Sequence, residues 1–170
     1  MRGLMLASLC LVAACSGGEE KKAEDTAAAP AAPGAGQWET TFETTAFRST
    51  DGKTPAVKAA VGDKVTGAAC VAAGEESKPA PALLVGEGYD CTYSTSYIKE
   101  GRVNAQLSCK REGVSGDIQM SVSGTSTADS FEGTVDTNSY LPGDGDFSMS
   151  RKVVAKRTGP ACQAAPAKAA

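Results

Sequence analysis

Six cysteines, twenty carboxylates and no histidine set the chemistry open to this chain. Without histidine there is no Ser-His or Cys-His nucleophile pair, no histidine-ligated zinc and no imidazole to move a proton. No Cys-x-x-Cys occurs, which argues against a thiol oxidoreductase, and no Gly-x-Gly-x-x-Gly or P-loop pattern offers backbone donors to a nucleotide. Three groups remain. Asp144 and Asp146, in Gly143-Asp144-Gly145-Asp146, could give oxygen ligands to calcium together with Asp136, or the carboxylate pair of a hydrolase. The simpler reading is a hairpin turn, where Asp and Gly serve backbone geometry. Glu39 and Glu43 share a strand face as an acid–base pair would, but Thr41 and Thr45 interleave with them, the pattern of a solvated outer face. Tyr89, Tyr93 and Tyr97 make an aromatic row that could be a ligand wall or partner surface. Because Cys91 lies in the same row, a core or half-core role is the plainer expectation. None of these patterns calls for a metal or cofactor.

The cysteines are better explained by location than by catalysis. Leu11-Val12-Ala13-Ala14-Cys15 closes a short apolar run that follows the single charge of Arg2, and the span is too short to cross a bilayer as a helix. It has the form of a bacterial lipoprotein signal: residues 1–14 are removed and Cys15 is acylated on its thiol and new amino group. Ordinary cleavage nearby would instead leave Cys15 as an odd reactive thiol. With Cys10 lost and Cys15 lipidated, Cys70, Cys91, Cys109 and Cys162 remain, an even set that an oxidising compartment would join as two disulfides. Loss of Arg2 leaves 16 basic against 20 acidic residues, a charge of −4. Such a chain is a poor ligand for nucleic acid, so membrane attachment would rest on the lipid alone. Ser16 rather than Asp follows the cysteine, which favours sorting to the outer membrane, facing the periplasm.

Composition divides the rest. Residues 15–36 carry the lipid and then only Ala, Pro, Gly and polar residues, a tether that cannot bury enough surface to order itself. Residues 163–170 repeat that composition as a tail. All nine aromatic residues fall between Trp38 and Phe147, which places one folded domain at 37–162. Its dominant period is two, the signature of half-buried strands. Trp38, Thr40, Phe42 and Thr44 alternate with Glu39, Thr41, Glu43 and Thr45, and further alternating runs cover 89–98, 103–111, 117–125, 130–137 and 147–156, with a short strand near Val65 and Cys70. Gly- or Asp-bearing turns separate the later runs, so consecutive strands there should be antiparallel neighbours. Thr54-Pro55 with Val57 and Val61 predicts one short helix over 55–61. The expected fold is all-β, an antiparallel meander of about seven strands forming a barrel or half-barrel.

The turn Lys99-Glu100-Gly101 gives a register. Residues opposite each other should have numbers summing to about 200, which pairs Tyr97 with Val103, Tyr93 with Leu107 and Cys91 with Cys109. Facing cysteines of a close pair have the separation a disulfide needs. Of the three connectivities open to four cysteines, the register therefore favours Cys91–Cys109, leaving Cys70–Cys162.

Taken together, Gly36-Gln37-Trp38-Glu39, Cys70-Val71, Tyr89-Asp90-Cys91, Cys109, Ser123-Gly124-Thr125 and the closing Arg157-Thr158-Gly159-Pro160-Ala161-Cys162 resemble a family of small Gram-negative envelope proteins catalogued as domain of unknown function 3617. The resemblance spans residues 36–162 and rests on cysteine placement. The acidic loop Gly74-Glu75-Glu76-Ser77 departs from it, since members often open a helix there with Thr-Pro-Glu. It implies a secreted or lipid-anchored β domain and transfers no active site. The functional expectation is a non-catalytic, periplasm-facing lipoprotein that binds a small apolar ligand or an envelope protein. The alternatives are an inhibitor of a cell-wall lytic enzyme and a carboxylate-dependent hydrolase.

Overall fold

A computed structural model describes residues 28–162. Seven strands alternate inward and outward side chains: β1 (Gly36–Ser49), β2 (Lys64–Val71), β3 (Tyr89–Lys99), β4 (Arg102–Arg111), β5 (Val114–Ser126), β6 (Ser130–Tyr140) and β7 (Phe147–Gly159). They form one antiparallel sheet in the order β2-β1-β7-β6-β5-β4-β3, curled into a half-barrel. From β3 to β7 each strand is bonded to the next, as the short turns predict. β1 then pairs with β7 as well as with β2, so β2 and β3 lie on opposite edges.

That topology forces residues 72–88 to cross the open side of the curl. They do so carrying the helix α1 (Pro81–Val85). Proline starts the helix with a preset φ and no N–H to satisfy, and Gly86 ends it at φ 86°. Leu83, Leu84 and Val85 are fully buried, and the helix packs against β2, β3, β5 and β7. A helix this short has almost no stability of its own. It is held by burial, worth roughly 1.5–3 kcal/mol for each of the three side chains.

The helix expected over 55–61 does not form. Residues 55–60 run as irregular chain across the β6–β7 turn, with the Ala56 N–H donating to the Gly145 carbonyl at 2.9 Å. Val57 and Ala59 touch the core, so burial there is met without helical periodicity. The helix sits instead where an unbroken apolar run, Pro81-Ala-Leu-Leu-Val, precedes a glycine.

Inside the curl lies a packed core rather than a lumen. Trp38, Phe42, Leu107, Ile118, Phe131, Val135 and Phe147 fill it together with α1. Gly124 and Gly133 face each other across β5 and β6 under the Phe131 ring; a Cβ on either would come within about 3 Å of that ring. The two glycines thus give Phe131 its seat on the sheet. The docked part of the chain also begins earlier than composition predicts. Pro30 forms a bridge with Thr127, the Ala31 N–H donates to the Ser126 carbonyl, and the Trp38 indole N–H donates to the Gly34 carbonyl.

Candidate functional site

The β3–β4 hairpin decides where the three tyrosines go. Its turn is two residues long, Glu100 and Gly101, both at positive φ, so Lys99 faces Arg102 and the register sum starts at 201. A bulge between Tyr93 and Thr95 returns the sum to 200, which puts Tyr93 opposite Leu107 and Cys91 opposite Cys109 as expected. Tyr97 faces Asn104 instead of Val103, which corrects the pairing read from the sequence. The expected row is therefore split: Tyr89 and Tyr93 remain on the inner face with Cys91, and Tyr97 turns outward at 51% exposure. Tyr93 donates its phenol to the Pro79 carbonyl at 2.7 Å and so ties β3 to the crossover. Burial pushes that phenol well above its ordinary pKa.

Tyr97 stands at the side of a shallow trough of about 340 Å³ on the outer face, with Asn104, Gln106, Ser121, Ser123 and Asp136. These are cross-strand neighbours: Tyr97, Asn104, Ser123 and Thr134 form one row, and Thr95, Gln106, Ser121 and Asp136 the next. The face offers hydroxyls, amides, one carboxylate and one aromatic ring. Asp136 accepts from the Ser150 hydroxyl at 2.6 Å.

A second feature lies on the inner face. Arg151 is 8% exposed beneath α1, and its Nη2 donates to the Val85 carbonyl at 2.7 Å. Its guanidinium carbon lies 4.8 Å from the Phe42 ring centre and 5.9 Å from that of Tyr89. No carboxylate among the described residues is within 4.0 Å of it, and its Nε is buried without a partner. Burial holds its pKa below the ordinary arginine value, with nearby Arg111 acting in the same direction. Arg111 donates to the Tyr89 hydroxyl at 2.8 Å and lies 5.0 Å from the same ring.

The carboxylates singled out by sequence are spoken for separately. Asp146 accepts from the Ser139 hydroxyl at 2.7 Å and the Leu141 N–H at 2.9 Å, shaping the β6–β7 turn. Asp144 is exposed and 3.7 Å from the Lys53 ammonium. Glu43 pairs with Lys64 at 3.3 Å on the outer face, and Glu39 is exposed. Among the described residues no three His, Cys, Asp or Glu side chains gather as metal ligands would. Sequence reasoning missed Asp51. Its carboxylate accepts from Lys53 N–H, Gly145 N–H, Asp146 N–H and the Ser49 hydroxyl, and these donors hold it well below the usual carboxylate range. A signal was available in Ser49-x-Asp51-Gly52, a turn-forming pattern.

Cys91 is bonded to Cys109, with Cα atoms 4.0 Å apart, and Cys70 to Cys162, with Cα atoms 5.4 Å apart. The first staples the edge hairpin. The second joins the end of β2 to the chain leaving β7, across β1. Cys15, the lipidation candidate, lies outside the described residues, as do residues 1–14 and 163–170.

The sequence matches the model of the family described as "Protein of unknown function (DUF3617)" over residues 32–162. The chain belongs to this family. No curated protein and no solved structure matches it. Within this DUF3617 chain the match takes in all seven strands, α1 and both disulfides, and it begins in the segment that docks on the β5–β6 turn.

Proposed function

We propose that this DUF3617 domain is a non-catalytic recognition module of the bacterial envelope, carried on the lipid of Cys15, that holds a hydroxyl-rich, uncharged ligand such as a glycan strand against the outer face of β3–β6. The observation that carries the proposal is the trough beside Tyr97. A sheet face whose two cross-strand rows carry hydroxyls, amides and one carboxylate around a half-exposed tyrosine offers hydrogen bonds with a ring to stack on. Two further features support it. The interior of the curl is occupied by side chains, so an apolar ligand would have to displace α1. The Glu100–Gly101 and Glu112–Gly113 turns are two residues long and project no finger for the cleft of a lytic enzyme. The disulfides suit an oxidising compartment, which agrees with the lipoprotein signal.

Titration of the purified protein with chito-oligosaccharide, and co-sedimentation with purified peptidoglycan sacculi, test the reading. Saturable binding that weakens about tenfold in Tyr97→Ala is the expected result, the size of a single aromatic anchor. Absence of binding to both, or equal binding by the variant, overturns it. Release of new reducing ends during incubation overturns its non-catalytic part.

A further inference from the structure

At the end of the sheet where β3 begins and β4 ends, a cleft of about 430 Å³ opens between Gly88, Tyr89, Asp90, Lys110, Arg111 and Glu112. Tyr89 is one of its lining side chains. Arg111 lies against its ring from the mouth and Arg151 approaches it from the interior, so one aromatic ring is shared by two cations. Stacking two guanidiniums on one ring opposes itself electrostatically, and burying Arg151 without a carboxylate adds the cost of desolvation. Carboxylates also stand near the cleft and balance its cations in number. Glu87, next to the lip, has its carboxylate on the Ala68 N–H at 3.0 Å, and Asp90 faces Lys110 in the strand register and offsets it. Arg111 and Arg151 are the two cations in contact with the Tyr89 ring.

We infer that this cleft is an anion site, in which the phosphate group of a small ligand is held by Arg111 at the mouth while Arg151 supplies a second positive charge from beneath the Tyr89 ring. Arg151 does not line the cleft itself; it is more than nine-tenths buried behind the Tyr89 ring, with its Nε unpartnered as that of Arg157 also is, and it acts on the cleft through its charge. Its contact with the Val85 carbonyl needs only one of the five guanidinium N–H groups. Guanidiniums are suited to the task because their planar forks bind phosphate oxygens in pairs and cannot lose their charge to a neighbour. The N-terminal segment docks on the β5–β6 turn, at one end of the sheet, and the cleft opens at the other. This site is separate from the trough beside Tyr97 and stands or falls independently of it.

The test is thermal unfolding of the full-length protein in inorganic phosphate and in chloride at equal ionic strength, paired with titration followed by Tyr89 ring resonances. Phosphate should raise the melting temperature above the chloride value and shift those resonances saturably. Arg111→Ala, a change at an exposed position, should reduce phosphate affinity at least tenfold, and Tyr97→Ala should leave it unchanged. Equal melting temperatures in the two salts, or a full response in Arg111→Ala, overturn the inference. Vesicles of phosphatidylglycerol and phosphatidylcholine form the second arm. Binding that is competed by phosphate and lost in Arg111→Ala identifies the source as a lipid headgroup at this same cleft. A phosphate response without vesicle binding identifies a free solute.

Discussion

Ile98, not Tyr97, stands opposite Val103 across the β3–β4 hairpin. Side chains in a strand alternate faces, so one extra residue exchanges the faces of everything beyond it. The bulge between Tyr93 and Thr95 is that residue: it buries Ile98 to 5% exposure and turns Tyr97 out. Truncation should read the two faces directly. Ile98→Ala is expected to cost about 2–4 kcal/mol and Tyr97→Ala within about 0.5 kcal/mol, measured by urea unfolding. The reverse ranking, with Tyr97→Ala the costlier change, would mean that the register runs unbroken at a sum of 200.

The two disulfides should differ in weight. In the chain-entropy picture, closing an 18-residue separation contributes about 3 kcal/mol and closing a 92-residue one about 4–5 kcal/mol. Paired Cys→Ala variants compared by denaturant midpoint are expected to rank Cys70/Cys162 as the more damaging loss. The reverse ranking would show that the edge hairpin depends on its staple for more than loop closure.

Helix α1 has no stability apart from its contacts, so its buried leucines should behave as core residues. Leu84→Ala is expected to cost about 2–5 kcal/mol, whereas Val61→Ser, at a position 67% exposed, should stay within about 0.5 kcal/mol. Hydrogen exchange should then show opening of residues 72–88 in the leucine variant ahead of the strands.

Asp51 links the β1–β2 loop to the β6–β7 turn through a depressed carboxylate pKa. A group with its folded pKa below the unfolded 3.8 contributes fully above that value and loses its contribution as pH falls through the folded pKa. Asp51→Ala should therefore lower the melting temperature by a constant amount from about pH 5 to pH 8. The gap should narrow below about pH 4, where the carboxylate takes up its proton in the unfolded chain and not yet in the folded one. A gap unchanged down to about pH 2 would assign the effect to the shape of the turn and not to charge.

Much of the candidate site was legible at the level of faces and illegible at the level of partners. Trp38, Thr40, Phe42 and Thr44 are buried, as their alternation with Glu39 and Thr41 requires. The trough was not visible, because Asn104, Ser123 and Thr134 become a row only once three strands are in register. Arg151 carried no signal at all. In the chain it is one basic residue in a strand of alternating character, and its burial depends on α1 lying across it.

What the sequence determined by itself is local and parity-based: about seven strands, their inner and outer faces except beyond the bulge in β3, four cysteines for two bridges, and Cys91 opposite Cys109. The faces follow from a two-residue repeat, which acts over a few residues; the cysteine pairing came out as expected because the bulge in β3 offsets a turn one residue shorter than the sequence suggests. Tertiary structure alone decided that β1 lies beside β7, that residues 72–88 span the open side, and that the helix forms at Pro81–Val85 and not over 55–61. The reason is energetic. A five-residue helix and a buried guanidinium are each unfavourable in isolation, and only surfaces brought together from β1, β3 and β7 make their burial the lower free energy.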